Sequence, residues 1–294
     1  MQSIPAKTIL SAYSEKNDWF GANYNMNLYR GCCHGCIYCD SRSDCYGIDR
    51  FDEVRIKENA IEILERELRS KRKKGVVATG AMSDPYNPFE KKLRLTRSAL
   101  ELLDRFHFGF SAATKSDLIL RDIDLLSKIA QHSPVLIQFT ITTADDELCR
   151  KIEPRVSVSS DRFRAIQILS RSGIFTGILL MPVLPFLEDT EENIRKIVEM
   201  AGDHGSRFIY PAFGVTLRQN QRDWYLDKIG HLFPDVKEKT MKTFENRYSC
   251  QSPNAKMLWR VFQETCQQRG IIYDMSDIIK TYKAGYVQEQ ISLF

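Results

Sequence analysis

Between residues 26 and 213, short apolar runs alternate with amphipathic helical patterns, and this alternation narrows the choice of fold more than any other feature of the chain. Runs of strand length occupy residues 76–80, 108–114, 135–143, 175–181 and 207–213. Met26–Arg30 predicts a first strand, followed by a helix over 53–74 with Ala60, Ile61, Leu64 and Leu68 on one face. Further helices are predicted at 96–106 (Ala99, Leu102, Leu103, Phe106) and 122–130 (Leu125, Leu126, Ile129). Two more follow at 160–172 (Phe163, Ile166, Leu169) and 190–202 (Ile194, Ile197, Val198, Ala201). Thr96, Asp122, Ser159 and Thr190 stand where N-caps belong, and Gly173 and Gly205 where helices should stop.

Six strand–helix units argue an α/β fold with a parallel sheet and right-handed crossovers. Six are too few to close a (β/α)8 barrel, so the expectation is a partial (β/α)6 TIM-like barrel. The expected division is an N-terminal arm at 1–24, the barrel at 25–215 and a C-terminal helical extension at 216–294. The extension includes a helix at 254–268 with Leu258, Val261, Phe262 and Thr265 on its buried face.

The chain's 294 residues contain no apolar run of about 18 and no signal-like segment, which predicts a cytoplasmic protein without a membrane partner. A net charge of +4 is too mild to mark a nucleic-acid-binding surface, so duplex nucleic acid is not an expected partner. The densest basic run, Lys71–Lys74 before Gly75, reads as a solvated helix end.

Four of the eight cysteines fall in Gly31–Asp40, where Cys32, Cys36 and Cys39 have the spacing C-x3-C-x2-C. Thiolates bind soft metals and iron–sulfur clusters. Structural zinc wants four ligands, usually as two separated pairs; Cys33 or His34 would complete a set, but no second C-x2-C follows. Three cysteines on a [4Fe–4S] cluster leave one iron open to a small molecule.

That spacing resembles the signature of the radical S-adenosylmethionine (SAM) enzymes. The resemblance narrows to their spore photoproduct lyase-like branch through Ser83-Asp84-Pro85-Tyr86-x-Pro88-x-Glu90 and Leu95-Thr96-Arg97. Thr114-Lys115-Ser116, the Arg121–Leu126 block, Glu153-Pro154-Arg155 and Met181-Pro182-x-x-Pro185 extend it over residues 20–215. Within the branch, the short chain resembles the queuosine lyases.

The resemblance implies a [4Fe–4S] cluster on Cys32, Cys36 and Cys39, with SAM chelating the open iron, and a reductant such as flavodoxin or ferredoxin. It also implies that Ser83 and Lys115 bind the methionyl end of SAM, that Thr140 and Thr142 are candidates for its ribose, and that the backbone at Pro182 holds its adenine. Asp84 and Tyr86 become candidates for proton handling, and Arg155 and Arg218 for a substrate phosphate. Where spore photoproduct lyases carry a hydrogen-returning cysteine, two residues before the SAM-binding serine, this chain has Ala81. The expected activity is therefore release of queuine from queuosine or its 5′-phosphate. The alternatives are repair of a DNA lesion and a non-enzymatic cysteine-rich metal or nucleic-acid-binding module.

Overall fold

The computed structural model of the chain describes residues 2–13 and 19–286. In chain order its strands are β1 (Ser3–Ile4), β2 (Leu10–Ala12), β3 (Tyr24–Met26), β4 (Tyr29–Arg30), β5 (Arg55–Lys57), β6 (Val76–Thr79), β7 (Gly109–Thr114), β8 (Val135–Thr140), β9 (Phe175–Leu180), β10 (Phe208–Pro211), β11 (Gly214–Thr216) and β12 (Ser249–Gln251). Its α-helices are α1 (Ala60–Ser70), α2 (Glu90–Leu93), α3 (Leu95–Arg105), α4 (Ile123–Ile129), α5 (Asp146–Ile152), α6 (Ser159–Arg171), α7 (Glu191–Asp203), α8 (Gln221–Leu232), α9 (Pro234–Phe244), α10 (Ala255–Arg269) and α11 (Met275–Lys283).

Six parallel strands form the main sheet in the order β10-β9-β8-β7-β6-β3, and β2 adds an antiparallel edge beside β3. The parallel strands run in sequence order because each crossover helix returns the chain beside the strand it has just left. This is the α/β architecture that the alternation predicts. Successive side chains face opposite sides of a strand. Phe110 and Ala112, Ile137 and Phe139, and Ile178 and Leu180 therefore pack outward with Leu103, Leu126, Ile166 and Ile197 in one large core. Each fully buried Leu, Ile, Val or Phe there contributes about 1.5–3 kcal/mol.

The inward-facing set behaves differently. Val76, Leu136 and Phe208, from the N-terminal ends of their strands, meet Phe20, Ile278 and Tyr282 in a second apolar cluster. Tyr282 on α11 donates a hydrogen bond to the Phe20 carbonyl at 2.6 Å, so the segment around Phe20 and α11 meet beneath the barrel. Above this plug the interior is a cavity.

Several local expectations are corrected. The first strand is two strands: β3 belongs to the main sheet, whereas β4 turns away to pair with β5 in a separate sheet of order β1-β5-β4. The predicted helix at 53–74 starts only at Ala60, because Arg55–Lys57 is a strand and Asn59 turns the chain in a left-handed conformation. Thr190 caps its helix by accepting from the Asn193 N–H, but the other three proposed caps do not. Thr96 lies inside α3 and donates to the Pro85 carbonyl at 2.6 Å. The Asp122 carboxylate is taken by Arg97 and Arg121, and Ser159 is already helical. Between 213 and 254 the chain is not wholly helical, since β11 and β12, on either side of α8 and α9, pair as an antiparallel two-stranded sheet. Among the described residues, no helix is long and apolar enough to cross a membrane.

Candidate active site

The loops that follow the parallel strands at their C-terminal ends enclose a cavity of about 840 Å³. One wall is the cysteine loop. Gly31 opens it at φ +81°, where a side chain would be strained, and a Cβ would lie 2.6 Å from the Glu53 carbonyl and 2.7 Å from that of Phe51. That close approach lets the Cys32 N–H bond the Phe51 carbonyl at 2.8 Å.

Further along the loop, Ile37 N–H donates to the Ile152 carbonyl at 3.0 Å, and the Tyr38 hydroxyl bonds the buried Glu153 carboxylate. Glu153 in turn pairs with the fully buried Arg162. Burial pushes the Glu153 carboxyl upward and the neighbouring guanidinium opposes it. Asp40, at the loop's end, accepts from Arg218 Nε at 2.9 Å and from Tyr46 at 2.7 Å.

Cys32, Cys36 and Cys39 all line the cavity, whereas Cys33 packs against the outer core. The three thiols share one wall and are free, and they form a soft donor set of the number that a cluster with one open iron requires. Burial raises all three thiol pKa values, that of Cys32 to about 12, while the nearby Lys115 cation lowers those of Cys36 and Cys39. Binding to iron must therefore displace thiol protons. By donor type and number, three soft thiols around one cavity suit such a group.

The loop after β6 forms a second wall. Gly80, at φ +98°, is where a Cβ would sit 2.0 Å from the Ala113 carbonyl, so only glycine brings this loop against β7. Ser83 lines the cavity and donates to the Gly31 carbonyl at 2.6 Å. Lys115 also lines it, with its Nζ 5.6 Å from the Tyr38 ring centre.

Asp84 knits these loops together. Its Oδ1 accepts from Thr114 and from the Tyr86 N–H, each at 2.8 Å, and its Oδ2 accepts from the Lys115 N–H at 2.8 Å. His34 Nδ1 lies 3.6 Å from the same Oδ2. Burial holds the His34 imidazole below its ordinary pKa, against the pull of Asp84.

The remaining predicted residues divide. Thr140 and Pro182 line the cavity. Thr142 is turned away and donates to the buried Glu188 at 2.7 Å. Burial pushes the Glu188 carboxyl up to about 8. Tyr86 is buried behind the wall, its hydroxyl facing the Asp122 and Glu90 carboxylates, and burial raises its pKa far above the phenol range. Arg155 lies outside the cavity with its Nη1 3.5 Å from the Cys33 carbonyl, and Arg218 outside it on Asp40. Cavity-lining residues that the sequence reading did not single out include Trp19, Asn25, Ser111, Gln138 and Gln251. An inward period-two phase along β7 and β8 is the signal that finds Ser111 and Gln138.

A family profile described as the Radical SAM superfamily matches residues 26–201, more than half of the chain. The chain belongs to the radical SAM superfamily. Its enzymes use a [4Fe–4S] cluster and SAM, so these are the cofactors of this protein.

An uncharacterized protein of Mycobacterium tuberculosis (strain ATCC 25618 / H37Rv) is 29% identical over 220 residues, 72% of this chain and 64% of the relative. One from Methanocaldococcus jannaschii is 34% identical over 174 residues, 58% of this chain and again 64% of the relative. The match thus spans just under two thirds of these relatives' own length. A radical SAM Nα-GlyT isomerase of Pseudomonas phage M6 is 23% identical over 182 residues, covering 62% of this chain and 37% of the isomerase.

Among solved structures, a spore photoproduct lyase variant superposes with a TM-score of 0.65 at 16% identity, covering 92% of this chain and 81% of that one. A variant with bound AdoMet and dinucleoside spore photoproduct gives 0.61 at 16% identity, covering 86% and 77%. These likenesses establish the fold.

Proposed function

We propose that this radical SAM enzyme is a lyase for a single nucleoside or nucleotide, with queuosine and queuosine 5′-phosphate as candidate substrates and free queuine as the released base. The observation that carries this reading is the cavity. Its 840 Å³ lies within the roughly 300–1,000 Å³ of small-molecule sites. Ser249 and Gln251 of β12 and Val215 and Thr216 of β11 line it, so this two-stranded sheet roofs the open side of the barrel.

Cys32, Cys36 and Cys39 are assigned to the cluster. Ser83 and Lys115 are assigned to the amino-acid end of SAM, because a carboxylate needs a charge-assisted partner at that depth. Thr140 and Pro182 flank the nucleoside end. When bound, the cofactors would supply a 5′-deoxyadenosyl radical able to take a hydrogen atom from the substrate ribose; release of the base from that sugar radical would then take up one electron from the external reductant and one proton. Asp84 positions rather than transfers, since both its oxygens already hold the strand-end loops together. Ala81 lines the cavity at the place corresponding to the hydrogen-returning cysteine, which fits a reaction ending in elimination.

The likeness to spore photoproduct lyases supports a second reading, repair of a lesion in DNA. The two separate in one assay. Anaerobic incubation with SAM, dithionite and queuosine 5′-phosphate should release queuine and form 5′-deoxyadenosine in step. Repair of a dinucleoside spore photoproduct without queuine release would replace the first reading with the second.

A further inference from the structure

Between the cofactor level and the apolar plug, the barrel carries a layer of polar side chains that the cofactors do not account for. Gln138 sits two residues before Thr140 on β8, roughly 7 Å deeper at about 3.3 Å per residue. Ser111 on β7 and Asn25 on β3 face the same space. Gln138 is only 3% exposed, and its carboxamide makes no hydrogen bond to another described residue. Asn25 Oδ1 is buried and likewise unpartnered.

Asn25 and Ser111 lie one register step toward the plug from Gln138, where Ser111 also pairs with Leu136, and the other neighbours are small. Gln138 stands between Ala113 and Gly177 in the sheet, and Ala78 stands between Asn25 and Ser111. A Cβ on Gly177 would lie 2.3 Å from the ring of Phe208, its neighbour in the sheet, so the plug reaches up beside Gln138. The result is a slot with polar edges and an apolar floor.

The Gln138 carboxamide opens on the cavity and Asn25 Oδ1 is buried without a partner, so both are placed to bond a ligand held there. Among the described residues lining the cavity, Lys115 is the sole lysine or arginine, and it stands at the cofactor level. A phosphate or carboxylate would therefore meet no cation on the floor. A carboxamide offers a donor and an acceptor side by side, which matches a planar edge carrying the same pair.

We propose that Gln138, Asn25 and Ser111 form a base-reading subsite that hydrogen-bonds the donor–acceptor edge of a heterocyclic base. Any phosphate then points toward the mouth. This inference rests on the nucleoside reading above and adds the residues that select the base.

The test uses the reconstituted full chain loaded with SAM, with queuine, guanine, thymine and queuosine 5′-phosphate as probes in equilibrium dialysis. Gln138→Leu should weaken the best-bound base roughly ten- to a hundredfold. It should leave SAM affinity and Tm unchanged, because the carboxamide bonds no other described residue and is replaced by a group of similar size. Ser111→Ala should weaken the same base severalfold, and it carries the test if Gln138→Leu does not fold. An analogue of that base methylated on its donor should bind wild type and Gln138→Leu alike.

Unchanged base affinity in both variants, with SAM still bound, overturns the subsite and leaves the nucleoside reading standing. So does a loss confined to SAM, which would place Gln138 on the cofactor, or a lowered Tm with unchanged base affinity, which would make it structural. Failure of the wild type to bind any probe overturns both proposals.

Discussion

At the N-terminal end of the barrel, Phe20, Val76, Leu136, Phe208, Ile278 and Tyr282 meet as an apolar plug, whereas at the other end the loops are tied by buried polar groups. Asp84 ties the loop after β6 to the end of β7, and Glu153 joins the cysteine loop to α6 through Tyr38 and Arg162. The two ends differ in what they hold. Dispersion and burial at the plug are non-directional and tolerate small rearrangements. Hydrogen bonds at the mouth fix direction, and an orphaned partner there costs its full desolvation. The plug therefore holds the barrel together, and the mouth places atoms.

The largest effect expected at the mouth comes from the cysteines. Alanine at Cys32, Cys36 or Cys39 should abolish the broad visible absorbance of the anaerobically reconstituted protein and its cleavage of SAM. Cys33→Ala should retain both. Loss of the cluster in Cys33→Ala with retention in Cys32→Ala would reverse the assignment of that wall.

At the plug, Phe208→Ala should cost about 3–5 kcal/mol in denaturant unfolding while the folded fraction still binds a cluster. A stable Phe208→Ala protein with no cluster would erase the distinction between the two ends. Lys115→Ala should do the opposite. SAM affinity by calorimetry should fall roughly ten- to a hundredfold, with cluster content and Tm unchanged.

The smallest expected effect concerns pH. Glu188 is raised in the fold to about 8 from an unfolded value near 4.5. Between those values the folded state binds the extra proton, so its contribution is full below about 4.5 and is lost as pH rises through about 8. Tm should therefore decline across that window, and Glu188→Gln should flatten the decline. An equal slope in the variant would remove Glu188 from the account.

This division also explains what was legible in the sequence. Outward positions such as Phe110, Ile137 and Ile178 belong to long apolar runs, so the strand order and the α/β class were readable. The cysteine spacing was readable because it is local. β5 was missed, and β3 and β4 were read as one strand, because each has only two or three residues and is stabilised by a partner distant in sequence. Thr96 and Asp122 looked like caps because the residue type suits a cap. Their hydroxyl and carboxylate are instead used by Pro85, Arg97 and Arg121, contacts that only the tertiary fold creates. Gln138 and Asn25 carry no motif, and they stand out only once the barrel shows them facing a cavity.

The central claim is that a nucleoside ribose, held in this cavity, gives up hydrogen to the radical derived from SAM. Queuosine 5′-phosphate deuterated on the ribose should be incubated anaerobically with the reconstituted enzyme, SAM and dithionite, and the 5′-deoxyadenosine analysed by mass spectrometry. The account predicts deuterium in 5′-deoxyadenosine together with free queuine. Unlabelled 5′-deoxyadenosine alongside intact substrate would contradict it.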